Sequence, residues 1–406
     1  MGVEEQQRSM RRNYIVISRA IGAIFGVFIV LTLLLNIVTP TRQFSEAENR
    51  SLSTRPALSL ASVKSGSWFS DFNEYFSDQF LGRDLCMSIN AWRNILTLKP
   101  ESSGVYFGSD GQLFSEDIPL SKKAQDHTVT AINDYVANHP ELNYYMMVLP
   151  KASTIQKDRL PLAAPAQDQN LLIDEFEKGL DDKVVRLDAS PALMDAKDDY
   201  IYYKTDHHWT SDGAYKVFQQ TAPDMGIDLS KTGYTRYLVA DGFEGTLGSK
   251  SGKHTTKDQI CVYQPNDTKV QYFVSYPDTQ EKYPSMFMED KLEGKDKYLL
   301  FFGGNHPVVD IKTTADTDDV LLVFKDSYAN CYMQFLYPYY RRIIMVDPRY
   351  YYDNVNTILR TANVTDVLFL YSADTLLADT NLADTLIAAE AKPENSMVDE
   401  KTPAAQ

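Results

Sequence analysis

An α/β fold built on a mostly parallel sheet, with helices on both faces, is predicted by three features of the sequence. The first is a set of short, unbroken apolar runs: "YYMMVL" (144–149), "VVRL" (184–187), "KYLLFFGG" (297–304), "DVLLVFKDS" (319–327) and "DVLFLYSAD" (366–374). Strands covered on both faces read as continuous apolar runs, whereas a strand with one wet face alternates. The second is helical periodicity around those runs, in 124–138 before the first and in 328–337 and 375–389 after the last two. The third is "TSDGAYKVFQQTAPDM" (210–225), where Thr210 or Ser211 is placed to cap a helix. Strands alternating with helices give a parallel sheet, and chemistry in such sheets gathers outside the strands' carboxyl ends.

Taken in chain order, the N-terminus carries the strongest local signal. From 20 to 38, "AIGAIFGVFIVLTLLLNIV" holds no charge over about nineteen residues, which at ~1.5 Å per residue nearly spans a ~30 Å hydrocarbon core. Arg8, Arg11, Arg12 and Arg19 precede it and predict a cytoplasmic tail (1–13) before an uncleaved anchor (14–38). "NIVTPTRQF" is a poor cleavage site, and a cleaved signal peptide is the alternative. Either way, the bulk of the chain is expected outside the cytoplasm. Residues 39–100 read as a stalk. A polar stretch with Pro40 and Pro56 is followed by Trp68, Phe69, Phe72, Phe76, Phe80 and Leu85 at helical spacing, broken near Gly82. That helical segment is expected to pack on the main domain or rest near the membrane. The main domain is expected over 101–390, opening with a hairpin around Ser109, Asp110 and Gly111, and the tail 391–406 is expected to be disordered.

Composition narrows the function. A formal charge of −15 excludes a nucleic-acid role, which needs a dense basic face. Three scattered cysteines, Cys86, Cys261 and Cys331, cannot build a disulfide framework or a zinc knuckle.

The chemistry concentrates in "YYKTDHHWTSDGAY" (202–215), which places an aspartate, two histidines and a tryptophan side by side in a chain with six histidines. If residues 206–208 are extended, side chains two apart share a side, so Asp206 and His208 face together and His207 faces away. A carboxylate beside an imidazole fixes its tautomer and leaves the other ring nitrogen as a general base. The best partner for such a base is Ser327, where an apolar strand ends and a helix is expected to begin. Backbone N–H groups and the positive helix end at that turn would hold an oxyanion. Plainer readings stand beside these. Serine is a favoured helix cap, and 206–209 is also a polar loop with Trp209 buried for packing. A metal is the third option, with Asp206 and one histidine joined by the distant His254 or His306. In "FFGGNHPVVDI" (301–311), the glycines permit close backbone approach and the Asn305 amide can donate to an oxyanion, unless the segment is simply a tight turn. Tyr332, Tyr337, Tyr339, Tyr340 and 350–352 supply rings that stack on sugars or fill the core.

"TDHHWT", with "KDSYAN" about 120 positions later, resembles the DHHW family, membrane-anchored proteins of Gram-positive bacteria. "FSEAENRSL", "YFSDQFLGRD", "VLPKASTIQKDRLP", "FEGTLGSKSG", "GGNHP" and "VDPRYY" extend the resemblance from the anchor to about residue 371. That family is similar in turn to the SGNH-hydrolase-like alginate O-acetyltransferases of the bacterial periplasm, which carry Asp-x-His-Trp well before a catalytic serine in a circularly permuted order. The resemblance implies a permuted SGNH-hydrolase-like (flavodoxin-like) α/β domain. Ser327 would be the nucleophile, His208 the base, Asp206 its orienting carboxylate and Trp209 the motif aromatic. Gly304, Asn305, Tyr328, Trp209 and His207 are the candidates for oxyanion or substrate contacts. His207 departs from the alginate enzymes, where a small polar residue is usual, and Asn305 is not matched to their oxyanion asparagine. The implied activity is extracytoplasmic O-acyl transfer, or ester hydrolysis, on a cell-surface or exported polysaccharide. Acetyl-CoA is not available there, so a multispanning membrane O-acyltransferase is implied as acyl donor, with no soluble cofactor and no metal. The alternative is a non-catalytic glycan-binding envelope protein on the same fold.

Overall fold

The computed structural model describes residues 3–45, 50–162 and 164–391. The tail expected to be disordered lies, beyond Ala391, outside the described residues, and so do 46–49 of "FSEAENRSL".

Among the described residues, eight strands form one sheet. Their spatial order is Glu281–Tyr283, Tyr272–Tyr276, Val308–Thr313, Arg342–Val346, Val320–Lys325, Asp366–Ser372, Asn143–Leu149 and Val184–Arg186. The last five run parallel to one another, and the first three extend one edge in antiparallel pairing. Parity along Val320–Lys325 shows why its run is unbroken. Leu321 and Val323 enter the core on one face, while Val320, Leu322 and Phe324 enter the core on the other. The first core is closed by the helix Ser211–Thr221, through Ala214, Val217 and Phe218, and by the hairpin Tyr234–Phe243 with Asp258–Pro265. The second is closed by Lys122–Asn138, Gln169–Glu177 and Asn381–Glu390, whose Tyr135, Phe176 and Leu386 are buried. Thr210 caps its helix as expected, its hydroxyl accepting from the Gly213 N–H at 3.1 Å. The expected turn at 109–111 joins Val105–Phe107 to Leu113–Ser115.

Two expectations fail, both for apolar segments. "KYLLFFGG" is not a sheet strand. Lys297–Leu300 is a 3-10 turn, Phe301 makes a single bridge to Phe287, and Phe302, Gly303 and Gly304 all take positive φ. A short apolar run shows burial without showing the conformation that is buried. The sheet instead takes Arg342–Val346 as a further parallel strand and Val308–Thr313, Tyr272–Tyr276 and Glu281–Tyr283 as its antiparallel edge. Likewise 328–337 is no continuous helix. The three-residue turn Ser327–Ala329 leads into the single helical turn Met333–Leu336 and then Tyr337–Tyr339. This segment is buried on every side, so tertiary packing rather than an amphipathic stripe shapes it.

One helix, Val3–Val38, opens the chain, and its Met10–Val38 portion is exposed and is long and apolar enough to cross a bilayer. That length and composition are shared by anchors and signal sequences. The stalk forms helices Leu60–Ser65, Ser67–Asp78 and Arg83–Leu96, broken at Gly82 (φ 74°). The three cysteines are unpaired.

Candidate active site

The parallel strands end along one edge of the sheet, and the turns leaving them build a cavity of about 130 Å³. Asp326 and Ser327 follow Val320–Lys325, Ser372 and Asp374 come from the end of Asp366–Ser372, Lys151 follows Asn143–Leu149, and Arg349 follows Arg342–Val346. His207 and Tyr328 complete the wall beside Ser327.

The histidine loop reaches this edge from the first core, of which Tyr202, Tyr203 and Trp209 are part. Tyr202 and Trp209 bridge as antiparallel partners, and the Tyr203 N–H donates to the His208 carbonyl at 3.2 Å, so the chain between them turns back tightly. Residues 206–208 are therefore not extended. Asp206 Oδ1 accepts from the His208 backbone N–H at 3.1 Å, an Asx-type turn. The pairing expected from strand parity is present, but the turn makes it. His207 does not face away: its ring lies 3.9 Å from that of His208, with Nδ1 2.9 Å from Thr246 Oγ1 and 3.4 Å from Asp206 Oδ1.

His208 Nδ1 is 2.6 Å from Asp206 Oδ1, and its Nε2 is 2.8 Å from Ser327 Oγ. With Nδ1–H donating to the carboxylate, Nε2 is left to accept from the hydroxyl. Asp206 Oδ2 takes the Thr246 N–H at 2.8 Å and its hydroxyl at 3.1 Å. Gly245 permits this approach, because a Cβ there would meet the Asp206 carboxylate at 2.3 Å. The Tyr298 ring stacks on His208 at 3.9 Å and 12°, while its hydroxyl donates to the Ser327 carbonyl at 3.0 Å. Asp326 locks the turn, accepting from the Tyr328 N–H at 2.9 Å and from Ser372 N–H and Oγ at 3.0 and 2.6 Å.

Electrostatics set the two protonation states. Burial pushes the Asp206 carboxyl up, but the His207 and His208 imidazoles and the Thr246 N–H outweigh it and keep the group ionised far below the usual carboxylate range. Burial and the neighbouring His207 push His208 below its ordinary 6.5, against the pull of Asp206. At neutral pH the imidazole is uncharged, the state a general base requires. Ser327 itself is part-exposed at the cavity wall.

The remaining candidates divide. Tyr328 lines the cavity, its hydroxyl donating to the His207 carbonyl. Trp209 is no substrate surface. It is fully buried, stacks on Tyr332, and donates Nε1–H to the Tyr328 carbonyl at 2.9 Å, bracing the serine turn. Gly304 and Asn305 do not line the cavity, and the Asn305 side-chain oxygen accepts from Lys325 Nζ at 3.3 Å. Ser327 opens a three-residue turn, so no long helix dipole aims at it, and its own N–H has no partner among the described residues. His254 and His306 do not join the site; they pair with Glu244 at 2.5 Å and Asp278 at 3.3 Å. Ligand atoms of Asp206, His207 and His208 do lie within 4.8 Å of one another. The tyrosine cluster mostly fills core: Tyr332, Tyr337, Tyr340 and Tyr351 are buried, while Tyr350 and Tyr352 are exposed. Sequence reasoning gave no role to Tyr298, Thr246, Lys151 or Arg349, although three of them sit in "FEGTLGSKSG", "VLPKASTIQKDRLP" and "VDPRYY". Lys151 Nζ is held by Asp117 at 2.6 Å and Asp374 at 3.6 Å, and Arg349 forks onto Asp347.

A parallel sheet with the Asp-x-His loop preceding the serine turn defines an SGNH-hydrolase-like domain in permuted order. Residues 105–289 match the family described as the SGNH hydrolase-like domain of acetyltransferase AlgX, a span that contains Asp206 and His208 and ends before Ser327. Among solved structures, the chain is similar to a DHHW family protein from Eubacterium siraeum (TM-score 0.60, 22% identity, 71% of this chain and 96% of that one). It is also similar to Bacillus cereus PatB1, solved with a sulfonyl adduct (TM-score 0.57, 19% identity, 68% of this chain and 97% of that one). Among curated proteins, none matches the chain by sequence.

Proposed function

We propose that the protein is a membrane-anchored, extracytoplasmic O-acyltransferase or esterase acting on a polysaccharide through Ser327, His208 and Asp206. The observation that carries this is the continuous hydrogen-bonded line from the Asp206 carboxylate through His208 to the Ser327 hydroxyl, 2.6 and 2.8 Å, opening on a cavity at the strands' carboxyl ends. The match to an acetyltransferase-type domain supports acyl transfer as the chemistry.

In the proposed reaction His208 Nε2 takes the Ser327 proton as Oγ bonds to the acyl carbonyl carbon. The carbonyl electrons move onto oxygen, where the Ser327 N–H donates to the oxyanion. Collapse of that intermediate breaks the bond to the leaving group, which takes the proton from imidazolium. An incoming sugar hydroxyl or water then loses its proton to the same nitrogen, attacks the acyl-serine, and Oγ departs with its proton restored. Asp206 holds the tautomer and stabilises the imidazolium throughout. The acyl donor on this reading is a multispanning membrane O-acyltransferase, and the first helix keeps Ser327 within its reach.

Hydrolysis of p-nitrophenyl acetate by the detergent-solubilised full chain tests the proposal. Acetate release is expected from the native protein and not from Ser327→Ala; equal background rates in both would leave a glycan-binding protein. One observation favours a metal-dependent hydrolase instead, namely the close ligand atoms of Asp206, His207 and His208. Such an enzyme would lose its activity to a chelator and keep it in Ser327→Ala, the reverse of the pattern expected here.

A further inference from the structure

The stalk helices present their apolar faces outward. On Arg83–Leu96 the residues turned to the domain are Ala91 and Asn94, the latter donating to the Glu101 carbonyl at 2.9 Å. The opposite stripe is Leu85, Ile89, Trp92 and Leu96, which are 65, 58, 51 and 80% exposed. Ser67–Asp78 repeats the pattern with Phe69, Phe72 and Phe76 on one side, all exposed. A soluble helix puts its apolar stripe against its own core. Two neighbouring helices that do the reverse mark a surface that something else covers.

Contacts with the first helix indicate what covers it. The loop joining the two stalk helices is hydrogen-bonded to the last turn of the apolar helix: the Leu81 N–H donates to Asn36 Oδ1 at 2.8 Å. Just beyond, Gln79 pairs with the Arg42 backbone in both directions, at 2.8 Å each. Asn36 lies near the end of a segment able to span a bilayer, and in a retained anchor that position falls where headgroups meet hydrocarbon. The stalk helices start from that level and extend ~18–21 Å. Aromatic and aliphatic side chains with a tryptophan are what an in-plane interfacial helix carries.

We infer that Ser67–Asp78 and Arg83–Leu96 form a foot whose apolar face is seated in the outer surface of the lipid bilayer, fixing the domain at a set height above the membrane. This rests on the reading of the first helix as a retained anchor. The foot would hold the cavity at a constant distance from a donor embedded in the same membrane.

Tryptophan fluorescence tests it, because the chain has three tryptophans, none lies in the first helix, and Trp209 is sealed in the core. The full chain with Trp68→Phe is reconstituted in phosphatidylcholine–phosphatidylglycerol vesicles whose lipids carry bromine at shallow or deep acyl positions. Shallow bromine is expected to quench the emission roughly twofold, more than deep bromine does. The quenching should disappear in Trp68→Phe/Trp92→Phe and fall sharply in Leu85→Glu/Ile89→Glu, whose exposed positions leave folding intact. Unquenched Trp92 in a chain that resists carbonate extraction overturns the foot and spares the anchor. Trp92 shielded only in cross-linkable dimers overturns it in favour of a second copy. If the first helix proves to be cleaved, the anchor falls, and the released chain added to the same vesicles decides the foot by the same quenching.

Discussion

Two carboxylate–imidazole pairs of nearly equal length lie in this molecule: Asp206–His208 at 2.6 Å and Glu244–His254 at 2.5 Å. Their surroundings separate them. Asp206 and His208 are both buried, the carboxylate's second oxygen is held by Thr246, and the free imidazole nitrogen faces the Ser327 hydroxyl. Glu244 is shared with Lys257 and approached by Lys295, and the His254 side chain is 38% exposed. Glu244 itself is buried, but its partners are partly exposed, and a carboxylate shared among them neutralises charge rather than orienting one imidazole. A short acid–imidazole contact is therefore not a catalytic device by itself. The second nitrogen must meet a nucleophile, and both groups must be withdrawn from water.

The largest way to sharpen that contrast is to remove the proposed nucleophile. Ser327→Ala is expected to lower kcat for p-nitrophenyl acetate by about 10⁴-fold or more, and His208→Ala by a similar factor, because groups acting as a unit fail together. Asp206→Asn keeps the shape but no longer favours the productive tautomer, and a loss of about 10²–10⁴ in kcat is expected. An unchanged rate in either histidine-pair variant would break the assignment. Next comes the brace. Trp209→Phe loses the bond to the Tyr328 carbonyl and leaves a void, so thermal unfolding should show a loss of about 2 kcal/mol, with kcat reduced as the serine turn loosens.

The pH profile follows. His208 must be neutral to act, and its pKa lies below 6.5, so kcat/KM should fall on the acid side only below that pH. His207 is one of the causes of that depression. In His207→Ala that neighbour is gone, imidazolium at His208 becomes easier to form, and the acid limb should move to higher pH. The smallest effect belongs to the other pair. Glu244→Gln and His254→Ala should leave kcat within about twofold, as expected of an ion cluster that does not line the Ser327 cavity. A large loss there would erase the distinction drawn above.

Much of the architecture was legible because it rests on local pattern. The runs at 144–149, 319–327 and 366–374 became strands since residues covered on both faces must be apolar at every position. Gly82 broke the stalk helices because a positive φ costs glycine little. "KYLLFFGG" misled for the same physical reason that the other runs succeeded: burial alone makes a segment apolar. Asp206 and His208 were paired by assuming an extended chain. The Asx turn reaches the same contact and brings His207 in as well. Tyr298 had no signal in sequence and Thr246 only its place in "FEGTLGSKSG", since stacking on an imidazole and donating to a carboxylate leave no spacing to read.

By itself the sequence determined that a long apolar helix precedes an acidic α/β domain, and that an acid–imidazole motif and a serine after an apolar strand are its chemical candidates. Short-range patterning suffices for that, because strand burial, helix periodicity and turn chemistry act over a few residues. Only the tertiary structure decided that two residues 119 positions apart meet, with His208 Nε2 at 2.8 Å from Ser327 Oγ. It also decided that Trp209 braces rather than binds, and that the stalk's apolar stripe faces out. Those outcomes depend on contacts between remote segments, where packing and dehydration, rather than local preference, fix which groups meet.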